Sequence, residues 1–439
     1  MSKGYFSATE KKIQQVISEK GRVLDGFKNL DPLFDKMSRA RVVMLGEASH
    51  GTHEYYTWRT YITKKLITDY GFNFIGVEGD WPDCYAVNRY IKHKEGAGSS
   101  AEAVLRGYDR WPTWMWANWE ITGLTEWLHQ YNKGKSWPNQ AGFYGLDVYS
   151  LWDSLTAVRQ YLAANDPEAL HQAEKAFRCF APYKDDETSY AYAAQVVPQR
   201  CQQEVVHLLQ QFQREKDGRG DDAEERFAAE QNALVTVNAE KYYRTMIGGG
   251  AASWNVRDSH MAETLERLMQ LHGPDSKAIV WEHNTHIGDA RATSMSDEGM
   301  YNIGELARKQ YGKGDVFLLG FGSYAGSVMA ATSWGAPQQV MEVPEARENS
   351  WEYHLHAAGG NRLLLSDDLR ESVLAEKRLG HRAIGVVYRP QYEKFGNYVA
   401  TLVPERYDGF IFLDQTKALH PLHGEAHNQK MPETYPFGV

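Results

Sequence analysis

Residues 41–54 read RVVMLGEASHGTHE. An apolar run enters a polar turn bounded by Gly46 and Gly51, and a helix-spaced segment follows. From 54 to 69, Tyr55, Trp58, Tyr61, Ile62, Leu66 and Ile67 recur at three- and four-residue steps, which suits one buried helix face. The stretch therefore predicts a strand, a tight turn and a helix. Similar runs follow at FNFIGV (72–77), AGFYGL (141–146), KAIVW (277–281), DVFLLGF (315–321), RLLL (362–365), AIGVVY (383–388) and GFIFL (409–413). Their lengths and weak polar alternation predict strands covered on both faces. Strands alternating with helices predict an α/β fold, with a mostly parallel or mixed central sheet flanked by helices.

The middle of the chain differs. From about 149 to 272 the spacing is mostly helical, with amphipathic segments at 195–216 and 224–247 separated by the charged turn KDGRGDD. This predicts a large helical insertion or lid at 149–272, between parts of an α/β core at 1–148 and 273–439. The run Gly248-Gly249-Gly250 follows a helix rather than a strand and reads as a helix stop. No internal repeat, low-complexity tract or long linker is evident.

Composition sets outer bounds. The 439 residues, 42% hydrophobic, suffice for one large core or two moderate ones. A net charge of −9 argues against a general nucleic-acid binder, since a phosphate backbone rewards Lys and Arg. No apolar run approaches the roughly 20 residues that cross a bilayer, and the N-terminus MSKGYFSATEKK carries no secretory pattern. Cys84, Cys179 and Cys201, without a CxxC pair, are read as free thiols in a reducing compartment, hence a cytoplasmic protein. Cys84 reads as a half-buried helix thiol rather than a nucleophile.

The reactive side chains fall in a pattern. The first strand runs into Glu47 and His50, the second ends at Glu78, the third at Asp147, and the fourth at Glu282-His283-Asn284-Thr285-His286. Four strands thus present carboxylates or imidazoles just past their C-terminal ends, the edge where open α/β sheets bind ligands. Ser49 and Thr52 read as caps of the following helix. Glu47 and His50, three residues apart, share one side of a helical turn. A carboxylate on one imidazole nitrogen raises the basicity of the other, so His50 is the candidate general base. His286 would donate a proton or hold an oxyanion. No cofactor is called for. A divalent metal remains an alternative, held by Glu47, His50, Glu78, His283 and His286. The nucleophile elbow GxSxG is missing, since Ser49 is flanked two positions away by Glu47 and Gly51, and Ser323 by Phe321 and Ala325. No phosphate or dinucleotide fingerprint occurs. The aromatic stretch WPTWMWANWE (111–120) reads equally as core or as an apolar pocket wall.

These loops resemble the erythromycin esterase family. GEASHGTHE (46–54), Arg59, VEGDW (77–81), YGLDVYS (144–150) and HNTHIGDAR (283–291) follow its pattern in order, from about residue 35 to 420. The resemblance implies hydrolysis of a linear or cyclic carboxylic ester, with macrolide lactones, and hence antibiotic resistance, as the named case. It implies His50 as the base that activates water, Glu47 and Glu78 as orienting and polarising groups, and His286 completing the catalytic set. Arg59, His283 and Asp147 would contact a small-molecule substrate. The C-terminal stretch 386–422 looks like the family's general branch rather than its resistance enzymes. Two other readings stand beside this one: a metal-dependent hydrolase of amides or peptides using the same cluster, and a non-catalytic binding protein for a bulky metabolite. The physiological substrate and the oligomeric state are not legible from sequence.

Overall fold

The computed structural model describes residues 7–137, 139–183, 187–196, 200–214 and 223–423. Its strands are β1 (Arg22–Val23), β2 (Val42–Leu45), β3 (Phe74–Asp80), β4 (Gly142–Asp147), β5 (Ala278–Trp281), β6 (Val316–Ala330), β7 (Gln339–Val343), β8 (Arg362–Leu365), β9 (Leu379–Arg382), β10 (Tyr398–Thr401) and β11 (Gly409–Thr416). Nine form one sheet in the order β1-β8-β11-β6-β2-β5-β3-β4, with β7 paired to β6. The six strands from β11 to β4 are parallel. β8, β7 and β1 run antiparallel to their neighbours, so the sheet is mixed, and β9 and β10 pair separately.

Side chains on a strand alternate between faces, and here each face has its own core. Val43, Leu45, Ile75, Val77, Ile279, Trp281, Phe317 and Leu319 join one cluster with Tyr55, Ile62 and Leu66 of the helix His53–Tyr70. Their neighbours Val42, Met44, Phe74, Ala278, Val280, Val316 and Leu318 join the other with Met261, Leu265 and Leu268 of the helix Ala251–His272. Burial on both faces is why these runs read as continuously apolar. Each large side chain so covered contributes about 1.5–3 kcal/mol.

Between β4 and β5 every described regular element is helical. Five helices, Leu151–Asn165, Pro167–Phe180, Glu187–Val196, Arg200–Arg214 and Ala223–Met246, share a third cluster that includes Leu155, Phe180, Val205, Ala233 and Tyr242. The helix Ala251–His272 packs on the sheet instead. Gly249 and Gly250, at φ 64° and 69°, make the break between the last two helices, a conformation that glycine adopts without a Cβ penalty. The turn KDGRGDD lies outside the described residues.

Three expectations are corrected. Residues 383–388 form no ladder strand, only isolated bridges from Ile384 to Ser49 and from Val387 to Ala331. Ile384, Val386 and Tyr388 are buried because this segment lies over the sheet's end, where Ile384 N–H donates to Ala48 O at 2.8 Å. A short apolar run signals burial, not pairing. Cys179 and Cys201 form a disulfide between the second and fourth helices of the insertion, so they are not free thiols. Their spacing of 22 residues carried no pairing signal. Cys84 lies outside any disulfide and is fully buried on the helix Trp81–Ile91. Among the described residues no helix is long and apolar enough to cross a membrane.

Candidate active site

The order β2-β5-β3-β4 sets four reactive strand ends side by side. The turn after β2 is drawn tight against its neighbours. A β-carbon at Gly46 would lie 2.1 Å from Asn284 Oδ1, and one at Gly51 would lie 1.9 Å from Met329 O. Asn284 N–H donates to Glu47 O at 2.8 Å, tying the loop after β5 to the loop after β2. Thr52 is the N-cap of the helix His53–Tyr70 by position, but its hydroxyl pairs with that of Ser49 and caps nothing.

Glu47, His50, Arg59, Glu78, Asp147, His283 and His286 are all at most 2% exposed. Glu47 Oε1 accepts from His50 Nδ1 at 3.0 Å, and Glu47 Oε2 accepts from Arg59 Nη2 at 2.6 Å. The Arg59 guanidinium lies over the rings of Tyr56 and Trp281, at 4.6 and 4.7 Å. Arg59 therefore holds the carboxylate that orients the imidazole. With its Nδ1 proton committed to Glu47, His50 keeps a lone pair on Nε2, which is buried and without a hydrogen-bond partner.

His283 has the complementary arrangement. Its ring centroid is 5.0 Å from that of His50. Thr285 N–H donates to His283 Nδ1 at 3.3 Å, and the Thr285 hydroxyl lies 2.7 Å from the same atom. An accepting Nδ1 places the ring proton on Nε2, also buried and unpartnered. Burial, reinforced by His50, holds the His283 pKa well below the usual histidine value, so the ring is neutral. The two neighbouring imidazoles thus present one free acceptor and one free donor.

His286 is placed differently. Its Nδ1 is 3.0 Å from both oxygens of Asp258, and Arg257 Nη1 donates to its Nε2 at 3.0 Å. Its ring stacks on Trp254 with centroids 4.4 Å apart. Both nitrogens are engaged by protein. Glu78 Oε1 accepts from Arg257 Nη2 and Oε2 from His283 N–H, each at 2.7 Å. Burial would raise the Glu78 pKa, but its neighbours His286, His50 and Arg257 and the His283 amide outweigh it, and the carboxyl is held well below its usual range. Asp147 takes Arg257 in a bidentate pair at 2.9 and 2.7 Å. Of the site residues above, only His50 and His283 combine unpartnered ring nitrogens with neighbouring rings, tilted 42° to each other.

Arg257 and Asp258 escaped the sequence reading. They sit mid-helix in Ala251–His272, far from any strand end, and their signal was an Arg-Asp pair in a helix that must bury one face. Glu282 was visible only as a strand terminus. It is fully buried, both carboxyl oxygens lack a partner, and burial together with Glu78 and Asp258 pushes its pKa well above the usual value. Trp116 of the aromatic stretch donates to Glu78 O at 3.0 Å, and Trp111, Trp114 and Trp116 are core while Trp119 is exposed.

The buried histidines make stability depend on pH. Burial lowers His260 to about 4 and His272 to about 3, against an unfolded value near 6.5. Below about pH 6.5 the unfolded chain binds protons that the folded chain refuses. Stability is therefore complete above that pH and falls as the pH drops toward 4, by roughly 1.4 kcal/mol per unit for each group at most. Urea unfolding at pH 7.5, 6 and 5 is expected to show a falling midpoint. An unchanged midpoint would show that these rings protonate in the folded state.

A family model described as erythromycin esterase matches residues 67–416. The chain is 25% identical over 375 residues to an erythromycin esterase type II of Escherichia coli, covering 76% of this chain and 82% of that protein. A solved succinoglycan biosynthesis protein superposes with TM-score 0.76 at 19% identity, over 95% of this chain and all of that one. An erythromycin esterase mutant in its open conformation superposes with TM-score 0.66 at 18% identity, over 89% of this chain and 94% of that one. At these identities the solved structures speak for the fold alone.

Proposed function

This chain belongs to the erythromycin esterase family, and from that premise we propose that it hydrolyses a carboxylic ester or lactone with water activated by His50. The observation that carries this reading is the pair of buried, unpartnered Nε2 atoms on His50 and His283, whose opposite protonation follows from what each Nδ1 touches.

In the proposed reaction a water between the two rings gives a proton to His50 Nε2 as its oxygen bonds to the ester carbonyl carbon. The carbonyl oxygen becomes an oxyanion and takes the hydrogen bond of His283 Nε2–H. Collapse re-forms the carbonyl and breaks the bond to the leaving oxygen, which receives the proton from His50. The products are a carboxylic acid and an alcohol, or one hydroxy acid from a lactone. Glu47 and Arg59 keep the His50 ring in place. Glu78, Arg257, Asp147, Asp258 and His286 form the buried charged frame that holds the His283 loop. This assigns the donor role to His283 and a positioning role to His286, because the Nε2 of His286 is occupied by Arg257. Arg59 and Asp147 likewise act through protein partners rather than by touching substrate.

The test is incubation with a panel of macrolides, smaller lactones and linear esters in ¹⁸O-labelled water, read by mass spectrometry. Hydrolysis adds one labelled oxygen to the acid product with wild type and none with His50→Ala. Equal hydrolysis by His50→Ala would falsify the assignment of His50. Absence of turnover across the whole panel would sink the ester reading itself.

A further inference from the structure

A second group of histidine and carboxylate donors lies outside the active site. His53 Nδ1 and His420 Nδ1 lie 2.6 and 2.7 Å from the same atom, Glu120 Oε1, and ligand atoms of all three fall within 4.8 Å of one another. Among the described residues no other group of three His, Cys, Asp or Glu side chains meets that geometry. We propose that His53, Glu120 and His420 bind one divalent transition-metal ion, zinc in the first instance.

Three features support this. The donor set is two imidazoles and one carboxylate, a combination used by zinc sites that leave a fourth position open. The three residues are distant in sequence, yet main-chain bonds fix all of them. His53 N–H donates to Lys417 O at 2.8 Å, Trp119 N–H to His420 O at 2.9 Å, and Leu422 N–H to Ala117 O at 2.8 Å. These main-chain bonds hold the three donors near one another, so little ordering remains to oppose binding. Finally, the Glu120 side chain is only 4% exposed while that of His420 is 64% exposed. A cavity of about 450 Å³ opens beside the group, lined also by Phe27, Tyr61 and Trp119, and leaves room for water as a fourth ligand.

Binding requires both Nδ1 atoms to be deprotonated, so metal uptake releases protons and weakens as pH falls. With bonds of about 2.0–2.2 Å the ligand atoms would separate to roughly 3.3 Å, about 0.6–0.7 Å beyond their present spacing, a shift divided between the exposed His420 ring and the part-exposed His53 ring. The ion would clamp the C-terminal segment 417–422 to the start of the helix that follows the His50 turn.

The experiment uses the full chain stripped of metal and titrated with Zn²⁺ in competition with a chromophoric chelator. One equivalent is expected in wild type, with affinity reduced at least about tenfold in both His420→Ala and Glu120→Gln, and retained in His50→Ala. Co²⁺ should give the visible absorption of a four-coordinate site in wild type and lose it in His420→Ala. Circular dichroism confirms that each variant is folded, and Glu120→Gln preserves side-chain shape. No bound equivalent in wild type overturns the proposal. So does an equivalent that survives both His420→Ala and Glu120→Gln, or one that His50→Ala removes.

Discussion

Replacing His50 with alanine is expected to lower turnover of any ester hydrolysed in the panel by about 10²–10⁴-fold, the usual contribution of a positioned general base. The loss should fall on kcat, since the imidazole is used as the proton moves rather than as substrate docks. Removing the ring leaves Glu47 still paired with Arg59 at 2.6 Å, so no buried charge is orphaned and the melting temperature should change little. His283→Gln makes the informative contrast. Loss of an oxyanion donor costs about 10²–10³-fold in kcat, which overlaps the first range, so rate alone does not separate the two roles. The pH profile does. A base must be unprotonated to work, so wild type and His283→Gln should both lose activity with one-proton slope on the acid side. The residual activity of His50→Ala should lack that limb. If the limb persists in His50→Ala and vanishes in His283→Gln, the two assignments must be exchanged.

Arg257→Met is expected to destabilise the fold by about 3–5 kcal/mol, the cost of breaking a buried ion pair from one side. Arg257 is 2% exposed and bonds Asp147 through two contacts, Glu78 through one and His286 through another. Its removal leaves the buried carboxylates of Glu78 and Asp147 without the cation they share. The midpoint of urea unfolding measures the loss. Adding Asp147→Asn to Arg257→Met removes one uncompensated charge and should restore part of it, a coupling that double-mutant cycles detect between groups in contact. A loss within 0.5 kcal/mol, the range of ordinary surface substitutions, would mean that the charged frame is not what supports the site. Activity should fall as well, because Glu78 holds the amide of His283 and is itself held by Arg257.

Much of this arrangement is written locally. Val42–Leu45 and Ala278–Trp281 form strands because each apolar residue finds a core on one face or the other, a property readable from the run itself. Glu47, Glu78, Asp147 and His283 lie at the sheet's C-terminal edge because covalent continuity puts them there once the strands are parallel. The Glu47–His50 bond needs only a spacing of three and a tight turn. Tertiary structure alone decided the remainder. Insertion of β5 between β2 and β3 brings residues 282–286 against residues 47–50, and nothing local to either segment encodes that neighbour. The helix Ala251–His272 supplies Arg257 and Asp258 from across the sheet, which commits His286 to protein partners and leaves His283 open. Pairing of Cys179 with Cys201, and convergence of His53, Glu120 and His420, likewise join residues far apart along the chain. Backbone preference and hydrophobic period act within a turn or two of the chain, whereas strand order and buried charge pairing depend on contacts that exist only after the sheet has assembled.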